Sequence, residues 1–367
     1  MMKTVFILGA GFSVEAGAPT QAAIIPEAFK QFRENKANFD KDRFAEFTSF
    51  INDQLNIPEC RYSSIALEDI FTPLDRCLSE SSQYRGISLD NIMKIRESVF
   101  YVVGRTIQLL LDKNHSKDYI DSFAKYLTEK SSMRAYNNYQ EKDPVSVISA
   151  NWDILLDNSI YKTILNTPHN AVVDYCCYIS SLDKDDVTVK PGLEVLGGGG
   201  FNVKLLKLHG SLNWLQCPRC ARLYTKFYEK EAINNFTTLT SCRHCDNNFE
   251  EEEGNHSLMA NLIMPTFIKD LSNPQYKIIW QNAGIEISEA EEIVFIGYSL
   301  PSADFEMRQL LSRMTRKKAK IHVVGYSSNE EEKAGIVAHW ESFFGAREVT
   351  FSFDGAKSYI SSLTNES

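Results

Sequence analysis

The sequence has no apolar stretch approaching the roughly 20 residues that a membrane-spanning helix needs. Residues 1–9 include an apolar run, but glycine interrupts it too early for a secretion signal. Positive charge is also scarce: the formal net charge is −9, which argues against a general nucleic-acid-binding surface. We therefore expect a cytoplasmic protein with no membrane contact and no direct nucleic-acid binding.

No internal repeat is visible in the 367 residues, so a repeat architecture is excluded. Hydrophobic residues make up 43% of the chain and charged residues 24%, which is typical of globular proteins. This length is enough for one large α/β domain with insertions, or for two domains. The eight cysteines suit the cytoplasm if some bind metal and the rest stay reduced.

Four short polar motifs each follow an apolar run. Such runs, rich in β-branched residues, predict buried parallel strands, and ligands bind beyond the carboxyl ends of such strands. We therefore predict one site built from distant parts of the chain. The motifs are Gly9-Ala10-Gly11-Phe12-Ser13, Ser149-Ala150-Asn151-Trp152-Asp153, Leu208-His209-Gly210-Ser211 and Gly297-Tyr298-Ser299-Leu300.

The first motif is a candidate phosphate loop. Its glycines allow a pyrophosphate to approach the backbone, and the helix that follows would present free amide donors. The usual Gly-x-Gly-x-x-Gly fingerprint is not matched, because its sixth position is Val14. A tight turn between a strand and a helix explains the motif equally well.

Asn151 and Asp153 stand two residues apart, so their side chains can project in the same direction. An amide and a carboxylate placed this way can hold a carboxamide and orient a water molecule. His209 is the main candidate acid or base, since histidine titrates near neutral pH. The alternatives are that Asn151 and Asp153 cap a helix beginning near Ile154, and that His209 is a hydrogen-bonded histidine at a strand end.

Two Cys-x-x-Cys knuckles, separated by 21 residues, have the spacing of a tetrahedral zinc site. Four thiolates leave no open coordination position, so the zinc would be structural. Two redox pairs are the alternative, and paired knuckles in a cytosolic chain favour zinc over that reading. The predicted ligands are Cys217, Cys220, Cys242 and Cys245.

Taken in order, these motifs resemble the sirtuin family of NAD-consuming enzymes. The first motif is similar to the family's Gly-Ala-Gly-Ile-Ser loop, Asn151-Trp152-Asp153 to its Asn-Ile-Asp, and His209-Gly210 to its catalytic His-Gly pair. Gly297-Tyr298-Ser299 resembles the Gly-Thr-Ser that contacts the adenosine side of NAD. Sirtuins also carry a four-cysteine zinc module between the last two of these motifs.

The resemblance implies a Rossmann-like α/β core with a parallel sheet and a small zinc module. Residues 31–142 lie outside the match, and apolar residues at three- and four-residue spacing, as in residues 44–55 and 91–112, predict a helical insertion there. We assign residues 1–30, 143–216 and 251–367 to the core, 31–142 to the insertion and 217–250 to the zinc module. It also implies that NAD is bound by residues 9–13, Gly17, Thr20, Gly297 and Ser299, with Asn151, Asp153 and His209 as catalytic residues.

Three departures from the protein-deacylating sirtuins favour water rather than acyl-lysine as the acceptor in the reaction. Gly17-Ala18-Pro19-Thr20-Gln21-Ala22 lacks the Phe-Arg pair of the deacylases. The Phe-Gly-Glu segment that pairs with an acyl-lysine peptide is replaced by residues 262–267, where Pro265 cannot donate a ladder hydrogen bond. Compact deacylases also lack the insertion. These features resemble bacterial sirtuin-like proteins of anti-phage defence, which hydrolyse NAD to ADP-ribose and nicotinamide.

That resemblance implies a homo-oligomer whose activity is gated, with a HerA-type ATPase as the expected separate partner. A protein deacylase is the second hypothesis, although it would need an acyl-lysine channel. A non-catalytic sensor module that binds NAD or ADP-ribose is the third. Pure binding does not require Asn151, Asp153 and His209 together, which disfavours the sensor.

Overall fold

The computed structural model describes residues 2–113, 115–136, 142–196, 198–249 and 256–365. The predicted boundary between residues 250 and 251 lies outside these ranges. Within them, no helix has both the length and the apolar character needed to cross a membrane.

The central sheet has seven strands and is parallel throughout, in the order β11-β10-β9-β1-β2-β5-β3. The predicted α/β fold with a parallel sheet is thus confirmed. The strands of the described residues are β1 (Thr4–Leu8), β2 (Val145–Ser149), β3 (Ala171–Asp174), β4 (Ile179–Ser181), β5 (Phe201–Lys207), β6 (Gly210–Gln216), β7 (Leu223–Thr225), β8 (Met259–Leu262), β9 (Glu292–Ile296), β10 (Lys320–Val324) and β11 (Val349–Ser352).

The strand order reverses between β1 and β9. From β1 the chain first builds one side of the sheet through β2, β3 and β5, and later returns to build the other side with β9, β10 and β11. The connections that follow β1 and β9 therefore lead to opposite sides of the sheet, which makes this position at the carboxyl edge a topological switch point. In open α/β sheets this is where ligands bind.

Helices cover both faces of this sheet. In chain order the helices of the described residues are α1 (Gln21–Glu34), α2 (Lys41–Ser49), α3 (Leu67–Glu80), α4 (Leu89–Leu111), α5 (Asp118–Tyr136), α6 (Leu155–Ile164), α7 (Glu231–Asn234), α8 (Arg243–Asn248), α9 (Pro274–Glu289), α10 (Phe305–Met314), α11 (Glu330–Phe344) and α12 (Gly355–Asn365).

Two aromatic contacts place helices on opposite faces. Phe6 of β1 meets Phe123 of α5 edge to face, with ring centroids 5.1 Å apart. Phe295 of β9 packs against Trp340 of α11, with centroids 4.6 Å apart. Phe295 is in register with Ile7, the neighbour of Phe6, and alternate residues of a strand face opposite ways. The sheet is therefore buried on both sides, which explains why β1 is apolar at nearly every position.

The long segment between β1 and β2 is helical, as predicted. Helices α1 to α4 pack on one another, while α5 lies against the sheet and connects β1 to β2 in the manner of a crossover helix. Buried side chains of these helices join the same continuous apolar core as the sheet. The insertion is thus packed onto the sheet and does not form a separate unit.

A second, four-stranded sheet has the order β4-β7-β6-β8. Strand β6 begins directly after His209, within the third motif, and pairs in an antiparallel manner with β7 and β8. This sheet carries the cysteine knuckles at one end and borders the predicted site at the other.

Candidate functional site

The four strand-end motifs meet at one cavity of about 450 Å³. It lies at the carboxyl ends of β1, β2, β5 and β9, where the crevice is expected. The structure brings most of the predicted site residues together here, although they come from positions almost 300 residues apart. Those that line the cavity are Gly9, Ala10, Gly11, Thr20, Asn151, Asp153, His209, Gly297 and Ser299.

Three predicted residues support the cavity without lining it. Phe12 is buried against Tyr119, with ring centroids 5.9 Å apart, and Tyr119 Oη donates to the Phe12 carbonyl. Ser13 is buried behind the loop. Gly17 ends a short 3₁₀ turn with φ +93°, and a Cβ there would lie 2.3 Å from the ring of His115. Their contribution is to the shape of the loop.

The glycine loops after β1 and β9 are in backbone contact. Gly11 N donates to Gly297 O over 2.9 Å. A Cβ on Gly297, where φ is +62°, would lie 2.2 Å from the Phe12 nitrogen. A Cβ on Gly9 would lie 2.6 Å from the Gly297 oxygen. Only glycine permits this approach.

Asn151 ties the end of β2 to the loop after β1. Its Nδ2 donates to Gly9 O over 2.9 Å and lies 3.4 Å from Ser13 Oγ. The amide is thereby held in one orientation at the cavity wall. With Nδ2 engaged, the side-chain oxygen is the group that Asn151 offers as an acceptor.

Asp153 lies beside Asn151 and is only 9% exposed. Ser13 Oγ donates to its Oδ2 over 2.8 Å, and Leu155 N donates to its Oδ1 over 3.1 Å. The second bond satisfies the first amide of α6, so Asp153 supports the start of this helix as well as lining the cavity, whereas the Asn151 amide is bound to the loop after β1. Burial raises the pKa of Asp153, and the opposing effects of Lys207 and Ser13 do not cancel it.

His209 follows β5 and faces two acceptors. Its Nδ1 lies 3.2 Å from the carbonyl oxygen of Ala150, which can only accept, so this nitrogen carries a proton. Its Nε2 lies 3.3 Å from Asp304 Oδ1 without the alignment of a hydrogen bond, so that contact is electrostatic. The indole of Trp280 lies near the His209 ring, and the two ring centroids are 6.3 Å apart.

Asp304 is a cavity residue that the sequence motifs do not identify. It is 6% exposed, receives a 2.6 Å hydrogen bond from Tyr298 Oη and forms an ion pair with Lys269. Burial disfavours its charge, but His209 and Lys269 outweigh burial and hold its pKa well below the ordinary value. In sequence Asp304 resembles a helix cap before α10, yet its side chain makes no capping bond.

The helical insertion supplies one wall of the cavity. Leu67 and Glu68 of α3 line it together with Ile107 of α4. Glu68 is buried and accepts a 2.8 Å hydrogen bond from Gln21 Nε2, which joins α3 to the start of α1. Sequence reasoning could not identify these residues, because nothing in their local pattern points to a ligand.

The four predicted zinc ligands converge in a separate small core. All four sulfur atoms lie within 4.8 Å of one another, and the Cys217–Cys245 and Cys220–Cys242 pairs are 3.7 and 3.8 Å apart. Zinc–sulfur bonds of about 2.3 Å in a tetrahedron require sulfur separations of roughly 3.8 Å. The cluster therefore fits a Cys₄ zinc ion, and it lies apart from the cavity.

One thiol in this cluster, that of Cys242, loses its proton more readily than an ordinary cysteine. Tyr224 Oη lies 3.4 Å from Cys242 Sγ. Burial opposes ionisation, but this contact and neighbouring donors lower the pKa of Cys242 to about 7. Thiolate is the form that binds zinc.

No protein-family model and no curated protein matches this sequence. Among solved structures, the chain is similar to a Sir2–p53 peptide–NAD⁺ complex, with 14% identity over 99% of this chain and 92% of that chain and a TM-score of 0.44. It is also similar to a sirtuin structure that concerns the structural basis for substrate affinity, with 14% identity over 99% of this chain and 92% of that chain and a TM-score of 0.40. The fold assignment above rests on the strand order and register of this chain.

Proposed function

We propose that this protein hydrolyses NAD to ADP-ribose and nicotinamide. The observation that carries the proposal is the shared cavity: the glycine contact between β1 and β9, the Asn151–Asp153 pair and His209 all border one space at the point where strand order reverses. The order of these motifs along the chain resembles that of sirtuins, which supports NAD as the ligand.

In this reaction the bond between nicotinamide and the ribose C1′ breaks, and nicotinamide leaves with the electron pair. Water adds at C1′ and one proton is released. Catalysis of such an oxocarbenium-like step comes from positioning and electrostatics. We propose that Asp153 helps to hold the nicotinamide carboxamide and that Asn151 orients the attacking water or the ribose. His209 would bond a ribose hydroxyl and assist proton transfer. The pyrophosphate would lie along the Gly9–Ser13 backbone.

Contacts near Pro265 favour water over acyl-lysine as the acceptor. A peptide that added as a strand here would need free backbone donors. Pro265 has none, Phe267 N donates to Thr72 Oγ1 of α3 over 3.2 Å, and Ile268 N donates to Thr266 Oγ1 over 3.2 Å. The insertion thus occupies one donor that strand pairing would use, and Thr266 occupies another.

The test is to incubate the purified protein with NAD, with and without an acetylated peptide, and to separate the products by chromatography. We expect ADP-ribose and nicotinamide without peptide. His209→Ala should lower turnover by about 10²–10⁴-fold, the range for loss of a general acid or base, and Asn151→Ala should also lower it. His322→Ala is the matched control, since this histidine of β10 bonds to Ser352 outside the cavity. Wild-type turnover in both site variants would contradict the assignment.

The same experiment decides between the competing functions. O-acetyl-ADP-ribose formed only with peptide would identify a deacylase. Binding of NAD without turnover, even with candidate partners present, would identify a sensor module.

The biological setting is a further part of the proposal and rests on the resemblance alone. We propose a cytoplasmic, homo-oligomeric effector of anti-phage defence that depletes NAD and is gated by a HerA-type ATPase. An unregulated NAD hydrolase would be toxic to its own cell, which is the reason to expect gating. Size-exclusion chromatography with light scattering, with and without such an ATPase, tests the assembly.

A further inference from the structure

A cluster of buried charges lies behind His209 and has no counterpart in the motifs that suggested the function. Asp304 is at its centre, with Lys269 on Oδ1 and the Tyr298 hydroxyl on Oδ2. The Lys269 side chain is only 4% exposed, and its Nζ also lies 2.9 Å from Glu306 Oε2. Such a carboxylate is fixed in place, because moving it would leave a buried cation without its partner.

The orientation of the His209 ring depends on the groups at its two nitrogens. Nδ1 donates to the Ala150 carbonyl, and Nε2 is buried beside Asp304 Oδ1 at 3.3 Å. A carbonyl on one side and a carboxylate on the other both attract N–H groups and repel a bare lone pair. The pair of contacts therefore restricts how the ring can rotate, as a carboxylate does for histidine in other sites.

We infer that Asp304 is a positioning residue for His209, holding the Nε2 edge of the ring at the cavity through its negative charge. This inference rests on the proposed function. Asp304 acts through the histidine, and Lys269 and Tyr298 act through Asp304. The remaining charged groups of this cluster are Glu306, bound to Lys269, and Arg308, whose guanidinium donates to the Leu300 carbonyl.

The experiment compares Asp304→Asn, Asp304→Glu and a control, Asp174→Asn, in the full chain. Asp174 is a buried carboxylate of β3 with partners Asn202, Gly192 and Cys176, outside the cavity of the site. We expect Asp304→Asn to lower kcat by about 10²-fold, the typical cost of misplacing a catalytic group by 1 Å, with KM near wild type. Asp304→Glu should recover part of kcat.

The chemical shifts of the His209 ring nitrogens, recorded by nuclear magnetic resonance and identified by their loss in His209→Ala, report how the ring is held without any turnover. They should change in Asp304→Asn and stay unchanged in Asp174→Asn. If the wild type does not consume NAD, the proposed function fails while this measurement still tests the pairing. Unchanged ring-nitrogen shifts in Asp304→Asn, or a raised KM with unchanged kcat, would overturn the inference.

Discussion

Replacing Gly297 with alanine tests whether the backbone contact between the β1 and β9 loops builds the site. The new Cβ would lie 2.2 Å from the Phe12 nitrogen and 2.3 Å from the Gly11 carbonyl carbon. Ordinary contacts are roughly 3.5 Å or longer, so the loops must separate by about 1.3 Å. Overpacking of this kind costs about 1–3 kcal/mol. The φ of +62° adds about 1–2 kcal/mol for a residue with a Cβ.

Two other glycines provide controls that separate the cost of overpacking from the cost of the positive φ. Gly86 has φ +83° but open space around its Cβ position, so Gly86→Ala should cost only about 1 kcal/mol, the backbone term reduced by the stiffer unfolded chain. Gly335 lies within α11, also with open space, so Gly335→Ala should stabilise the fold by about 0.5–1 kcal/mol. Gly297→Ala should cost about 2–5 kcal/mol, the sum of its two terms.

The assay is denaturant unfolding followed by circular dichroism, together with NAD turnover measured under native conditions. A loop displaced by about 1 Å should lose about 10²-fold in turnover. Neither control should change turnover. The reasoning is refuted if Gly297→Ala loses no more stability than Gly86→Ala and also keeps wild-type turnover.

Two further predictions concern the cysteine cluster and the buried carboxylate. Metal analysis should find one zinc per chain, and Cys242→Ser should remove this zinc and lower the unfolding midpoint. Cys60→Ser is the control, because Cys60 is exposed and outside the cluster, and it should change neither the zinc content nor the midpoint. The raised pKa of Asp153 means that its contribution to stability is fully present below pH 3.8, its ordinary value, and is lost as pH rises through the folded-state pKa. Asp153→Asn should therefore keep or increase the free energy of unfolding at neutral pH while lowering NAD turnover, and a parallel loss of both would contradict this.

Much of the fold could be predicted because parallel strands buried on both faces must be apolar along their length. The apolar runs that precede the first two motifs are found as the strands β1 (Thr4–Leu8) and β2 (Val145–Ser149). The convergence of the four motifs followed from the same reasoning, since the carboxyl ends of parallel strands share one edge. The cysteine knuckles were predictable because four thiolate ligands have a characteristic spacing.

Other features of the site depend on contacts between distant segments. Asp304 resembles a helix cap in sequence, and its pairing with Lys269 and His209 arises only when the loop after β9 packs beside the end of β5. The helical character of residues 31–142 predicted helices in this segment, but not that Leu67 and Glu68 of α3 would border the cavity. Local periodicity indicates which face of a helix is buried, but it does not indicate which residues that face contacts.

The amino-acid sequence by itself determined the parallel sheet, the glycine turns and the cysteine spacing, because each depends on neighbouring residues and on the geometry of one element. The tertiary structure alone decided that Gly11 and Gly297 are in backbone contact, that the insertion forms a wall of the cavity, and that a buried carboxylate stands behind His209. These features arise from the electrostatics and packing of side chains far apart in the chain, which only the folded arrangement brings within a few ångströms.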